Sequence, residues 1–155
     1  MRILDDIDLK ILNIIQNDAR IANAEIARQV GMAPSATLER LRKLEENGAI
    51  QKYETRLKPQ MLGFGLLAFV FVRIDGPATA LATGERIAAL PEVQEVHHIA
   101  GEDCFLVKIR AADTEKLGEL LREKLGQIET IRSTKTTIAF TTLKETHELP
   151  ITGNK

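Results

Sequence analysis

Residues 23–53, NAEIARQVGMAPSATLERLRKLEENGAIQKY, restrict the possible folds of this chain more than any other stretch. They read as two short helices joined by a tight turn and followed by a strand and wing. Ile26, Ala27 and Val30 put small and apolar groups on one face of the first helix. Gly31 comes directly after it and can take the positive φ that a sharp helix end requires. Pro34 and Ser35 mark a second start, with the serine oxygen available to an orphan backbone N–H, and Leu38, Leu41 and Leu44 supply a buried stripe. Gly48 stops this helix, and residues 50–57 alternate loosely enough to predict a strand and wing. Two helices around a glycine turn, the second polar and basic on its outer face, outline a DNA-reading module.

Pair spacing sorts the charges on that second helix. Glu39 and Lys43 are four residues apart, as are Arg42 and Glu46, so each of these cations has an acidic neighbour along the helix. Arg40 has Ala36, Thr37, Lys43 and Leu44 at those spacings and no carboxylate, which leaves its guanidinium for a phosphate or a guanine edge. Base reading usually falls to the N-terminal half of such a helix. The expected DNA contacts are therefore Ser35, Thr37, Glu39 and Arg40 near the bases or adjoining phosphates, with Lys43 and the wing residue Lys52 on the backbone. A merely solvated charged face is the alternative for an isolated cation such as Arg42 or Lys43.

Charge sets a limit on how such a module can bind. Residues 1–58 hold ten Lys and Arg against nine Asp and Glu, and the remainder holds eleven against thirteen, for a formal net charge of −1. A nearly neutral protomer has no broad positive field, so binding depends on a local basic patch and on more than one module per site. The chain is therefore expected to be an oligomer. Two modules held in symmetry would read half-sites about one helical turn apart, near 10 bp or a multiple of it.

From Pro59 the character changes. KPQMLGFG (58–65) interrupts the pattern, and Leu66-Leu-Ala-Phe-Val-Phe-Val72 follows as a strand that is apolar on both faces. A helix is expected over 79–90, ended by Pro91, and a strand over 93–99. Gly101-Glu102-Asp103 reads as a tight turn, with 104–110 as the hairpin partner strand. A second helix over 113–125, stopped by Gly126, and a last strand over 134–142 complete the order βαββαβ. That order belongs to a ferredoxin-like sandwich in which two helices cover one face of a four-stranded antiparallel sheet. The other face is expected to be covered by the same sheet of another chain. The predicted architecture is α+β, with a winged helix-turn-helix over 1–58 and a ferredoxin-like domain over 59–155 that carries oligomerisation.

Several function classes find no support. Phosphate-binding glycine loops, a Gly-x-Ser-x-Gly elbow and a His-Glu-x-x-His motif are missing from the sequence, so a non-enzyme is expected. His97, His98 and Cys104 lie on two arms of one predicted hairpin, but three well-placed ligands are the usual minimum for zinc; no metal or other cofactor is expected. The single cysteine excludes an intrachain disulfide. No run approaches the ~18 apolar residues of a membrane span, and the N-terminal residues do not resemble a signal peptide. A cytoplasmic, nucleoid-associated protein is expected.

These elements together resemble the leucine-responsive/AsnC (feast/famine) transcription regulators over nearly the whole chain, from Leu4 to Thr142. Leu4-Asp5-Asp6-Ile7-Asp8 with Ile11-Leu12 is similar to the family's opening helix, and Asp18-Ala19-Arg20 to its Asp-Gly/Ala-Arg element. Residues 38–50, LERLRKLEENGAI, resemble its recognition helix and the turn into its wing. Residues 100–106, AGEDCFL, resemble its Gly-x-x-Asp-aromatic-Leu hairpin, and Thr134-Lys135-Thr136 its last strand. The resemblance implies small effectors, usually amino acids, bound between protomers, and dimers that assemble further, often to octamers. The implied effector residues are Gly101, Glu102, Asp103 and Cys104, with Thr134 and Thr136. Two departures stand out: Cys104 replaces the usual hairpin aspartate, and Lys52 replaces a glycine before the wing tyrosine.

A glycine turn suits an amino acid on physical grounds as well. Its open N–H groups can receive a carboxylate and nearby acids or carbonyls an ammonium, while a neighbouring chain supplies an apolar pocket. Two readings of function follow. One is a sequence-specific regulator whose DNA affinity or assembly is shifted by a small effector. The other is a DNA-organising protein with low sequence preference and no effector.

Overall fold

The computed structural model describes residues 4–101 and 104–152. The chain divides into two compact units, Met1–Arg56 with Glu145–Lys155, and Leu57–Lys144. The sequence reading assigns all of 59–155 to the second domain, but the C-terminal segment lies with the first unit. There the Gln16 side-chain amide donates to the Leu149 carbonyl at 3.0 Å and accepts from its N–H at 2.9 Å, serving both backbone groups as a neighbouring strand would. Arg56 pairs with Glu145 at 2.8 Å in the same unit.

Three helices build the first unit: α1 (Asp6–Asn17), α2 (Asn23–Val30) and α3 (Pro34–Glu46). A reciprocal capping box opens α1, in which Asp5 accepts from the Asp8 N–H and Asp8 accepts from that of Asp5. Gly31 ends α2 in the left-handed region at φ 72°, which lets the chain reverse within three residues into α3. Ile11, Ile15, Ile26, Leu41 and Leu44 form the core where the three helices meet.

Three details differ from the sequence reading. Ser35 does not cap α3: Pro34 takes the first helical position, where its missing N–H costs nothing, so the capping position falls on Ala33. Leu38 is 41% exposed, and Thr37, with Leu41 and Leu44, fills the buried stripe instead. Residues 51–58 form no strand, because the segment finds no partner backbone among the described residues. This wing segment is tied to α3 by the Tyr53 hydroxyl, which donates to Glu45 Oε1 at 2.9 Å.

The second unit has the order β1 (Leu66–Ile74), α4 (Ala80–Ala88), β2 (Val93–His98), β3 (Phe105–Ala111), α5 (Thr114–Glu123) and β4 (Ile131–Ile138). The strands are antiparallel neighbours in the order β2-β3-β1-β4, which is the ferredoxin-like arrangement. Ala68, Val70 and Val72 of β1 and Phe105, Val107 and Ile109 of β3 face the helices, and they are closed over by Ile87, Leu117, Leu120 and Leu125. The opposite face carries Phe69, Phe71 and Leu106, all half-buried, beside Lys108, whose ammonium meets Glu95 at 2.7 Å. The last strand ends at Ile138 rather than at 142. The Ala139 N–H still reaches the Leu67 carbonyl at 2.9 Å, but β1 begins at Leu66, so later residues have no strand beside them.

Candidate functional site

The outer face of α3 is set by helical spacing. Ser35, Leu38, Glu39, Arg42 and Lys43 are all exposed, whereas Thr37, Leu41 and Leu44 point inward. Ser35, Glu39 and Lys43 thus lie on the exposed side of α3. Glu39 and Lys43 are ion-paired along the helix, and that hydrogen bond holds the Glu39 carboxyl below its usual range. Lys52 is also exposed and pairs with Glu54, whose carboxyl it lowers in the same way.

Two expected DNA contacts do not fit. Thr37 is fully buried and its hydroxyl donates to the Ala33 carbonyl at 3.2 Å, one turn back, so it offers nothing to a base. Arg40, read as lacking a partner, holds two. Its Nη1 lies 2.7 Å from both Asp5 Oδ2 and Asp8 Oδ1 at the start of α1. The Asp8 side chain is 4% exposed, and a carboxylate so enclosed needs a cation beside it. The hydrogen bonds to Asp5 and then Asp8 raise the Arg40 pKa. The Asp8 backbone N–H, followed by Arg40, lowers that of Asp5. Arg40 therefore fastens α3 to α1.

The pairing assumed for Arg42 is also not formed. Among the described residues its guanidinium has no hydrogen-bond or ion-pair partner, although Glu46 stands four residues on. Arg42 and the exposed Leu38 are the two members of the outer face that the sequence reading left out of the site. The available signal was the stripe itself: Thr37, Leu41 and Leu44 already fill the inner side, so Leu38 and Arg42 fall outside it.

In the second unit, Gly101 sits in the turn between β2 and β3 at φ 126°, a conformation that disfavours a side chain, and the space where a Cβ would stand is open. Glu102 and Asp103 lie outside the described residues. The hairpin is closed by the Ile99 N–H donating to the Cys104 carbonyl at 2.9 Å, while the Cys104 N–H donates to Val72 at 2.9 Å. Thr134 lies across from Val72 on its other side, and Thr136 across from Val70. Cys104 and Thr134 thus flank one strand at the same end of the sheet, roughly 10 Å apart across it. A pocket of about 390 Å³ lies at the other end of β3, lined by Phe64, Glu92, Arg110, Lys116, Leu120 and Lys124 among others, and none of the expected effector residues lines it. Gly101 itself is exposed.

The histidines separate. His98 stacks on Phe105 at 5.2 Å between ring centroids, whereas His97 on the other face lies 3.1 Å from Glu95. Among the described residues no group of three His, Cys, Asp or Glu could hold a metal, and no helix is long and apolar enough to cross a membrane.

Comparison with known proteins matches both units. Residues 4–51 match the winged helix-turn-helix DNA-binding model, and residues 67–149 the Lrp/AsnC ligand binding domain. The chain is 40% identical over 149 residues to the HTH-type transcriptional regulator FL11 of Pyrococcus horikoshii, covering 96% of this chain and 97% of that protein. It is 35% identical to the leucine-responsive regulatory protein of Escherichia coli K12 over 150 residues, 96% and 92% of the two chains. Among solved structures, a transcriptional regulator from Neisseria meningitidis in complex with L-methionine superposes with a TM-score of 0.89 at 28% identity, over 96% of this chain and 97% of that one.

Proposed function

The chain belongs to the Lrp/AsnC family of transcriptional regulators, and on that premise we propose that an amino acid bound at the β2–β3 turn, between protomers, shifts its DNA affinity or its assembly. It is a DNA-binding regulator with a winged helix-turn-helix and an Lrp/AsnC ligand-binding domain. The observation that carries the effector reading is the open backbone at Gly101, with Cys104 and Thr134 at the same sheet end. Exposed N–H groups of such a turn suit a carboxylate, and the missing walls of the pocket fall to a second protomer. The complex of the Neisseria relative with L-methionine supports this ligand class. The full set in this reading is Gly101, Glu102, Asp103, Cys104, Thr134 and Thr136.

Self-association is part of the same reading. Phe69, Phe71 and Leu106 on the uncovered face of the sheet are half-buried, and a second copy of that sheet would complete their burial. Dimers formed in this way would assemble further, to octamers, and present paired α3 helices to double-stranded DNA. On DNA, Ser35 and Glu39 approach the bases, while Lys43 and Lys52 face phosphates. The protein acts on the nucleoid, in the cytoplasm, and has no enzymatic activity.

A thermal-shift screen of the twenty amino acids with the full-length protein tests the proposal. One or more free amino acids should raise the melting temperature, and the corresponding amide and N-acetyl forms should not, because both charged ends are used. Gly101→Val should abolish the shift while DNA binding persists, since a β-branched side chain resists φ 126° and fills the space a ligand needs. If calorimetry at millimolar concentration detects no amino acid, the effector reading fails and an effector-free DNA-organising protein gains.

A further inference from the structure

A leucine that is 41% exposed is ordinary on a protein surface, but Leu38 is exposed on the face of α3 that carries Ser35, Glu39, Arg42 and Lys43. It is not among the residues that pack into the core of the first unit. Arg42 lies one helical turn further along the same face. The other cations of α3 are committed, Arg40 to Asp5 and Asp8 and Lys43 to Glu39, so Arg42 is the guanidinium left without a partner among the described residues. Side chains on a helix lean toward its N-terminus, which brings the long Arg42 side chain over the turn that holds Leu38.

We propose that Leu38 and Arg42 are the sequence-reading pair of this protein, Leu38 packing on the C5 methyl of a thymine and Arg42 donating to O6 and N7 of a guanine. This rests on the reading that α3 enters the major groove. In that groove thymine offers a methyl group to an apolar side chain, and guanine offers two acceptors spaced for a guanidinium. Four residues of helix advance about 6 Å, so the two bases lie within about two base pairs of each other. Glu39, held by Lys43, is exposed one residue after Leu38 and disfavours the acceptor-rich guanine edge at the position Leu38 reads.

The test uses the full-length protein and duplexes enriched by it from a random pool. Each thymine of the selected duplex is replaced in turn by uracil, which removes only the methyl group, and each guanine by adenine within an intact base pair. Wild-type protein should lose about fourfold in affinity at one thymine, the equivalent of one buried methyl group. Leu38→Ala should bind the thymine and uracil duplexes equally there, and Leu38→Met should retain the penalty. Arg42→Gln should lose at least about fivefold of guanine-over-adenine discrimination at a position within about two base pairs of that thymine.

Melting curves of each variant confirm that the fold is kept. An undiminished uracil penalty in Leu38→Ala would overturn the assignment of Leu38. If Arg42→Gln weakens all duplexes equally and flattens the salt dependence by one unit, Arg42 holds a phosphate and its assignment is overturned. If the pool yields no preferred sequence, sequence-specific reading itself is refuted, and this pair with it; a preferred sequence indifferent to both variants refutes the pair alone.

Discussion

Arg40→Ala is expected to damage the stability of the first unit more than its grip on DNA. In the folded chain the Arg40 guanidinium is 2.7 Å from Asp5 Oδ2 and from Asp8 Oδ1, with side-chain exposures of 25% for the arginine, 50% for Asp5 and 4% for Asp8. Truncation leaves the Asp8 carboxylate enclosed, with the Asp5 N–H at 3.3 Å as its remaining backbone donor. Removing one partner of a buried pair costs roughly 3–5 kcal/mol, and the partial exposure of Arg40 reduces this to about 2–3 kcal/mol. The exposed Asp5 arm adds at most about 1 kcal/mol. Asp8→Asn in the same chain should restore about 1–2 kcal/mol, because a neutral amide needs no cation. The chain has one tyrosine and no tryptophan, and Tyr53 lies in the first unit, so its fluorescence during urea unfolding reports this unit. With a slope of about 1 kcal/mol per molar urea, the midpoint should fall by about 2–3 M in Arg40→Ala and partly recover in the double variant. A shift below about 0.5 M, together with a tenfold loss of DNA affinity, would refute the clamp and return Arg40 to the DNA surface.

Three further outcomes are expected. Partial burial and then the hydrogen bond to Glu45 push the Tyr53 phenol up to about 12 from 10.0, so phenolate absorbance should appear well above pH 10 and move down in Glu45→Gln. Because this group is raised in the folded state, the stability it adds is present below pH 10 and lost as the pH climbs toward 12. Lys52→Ala should weaken binding to all DNA sequences about equally and flatten the salt slope by roughly one unit, measured by titration at several salt concentrations; a sequence-selective loss would mean that this segment reads bases. Phe71→Glu should leave the protomer folded, since Lys135 sits 5.7 Å from the Phe71 ring centre and can pair with the new carboxylate, but light scattering should show a smaller assembly. An unchanged mass would move the self-association surface elsewhere.

The architecture was legible because its signals are local and strong. Gly31 and Gly48 occur where the chain must take positive φ, and the apolar run that became β1 admits few alternatives to a central strand. Element ends were less legible, for reasons that lie outside each segment. Residues 139–142 have strand composition, but β4 stops where β1 runs out as a partner. The wing segment alternates as a strand should and lacks a backbone to pair with among the described residues. The return of residues 145–152 to the first unit depends on Gln16 and Arg56, neither of which carries a periodic signature.

The site was misread by a rule that looks only along one helix. Spacing of three and four within α3 assigned Arg42 to Glu46 and left Arg40 unpaired, whereas Arg40 meets acids 32 and 35 residues away and Arg42 meets none among the described residues. The corrective signal lay in α1. Asp8 is three residues before Ile11 and seven before Ile15, on the stripe that buries both, so a carboxylate was bound to be enclosed there and to require a cation. The spacings that deprive Arg40 of a carboxylate point the same way. Its neighbours Thr37 and Leu44 are fully or almost fully buried, which places Arg40 on the inner edge of α3 rather than on its outer face. A cation at the edge of an apolar stripe is fitted to reach a buried acid, and one whose neighbours three and four residues away are all exposed, as those of Arg42 are, finds no such acid among the described residues.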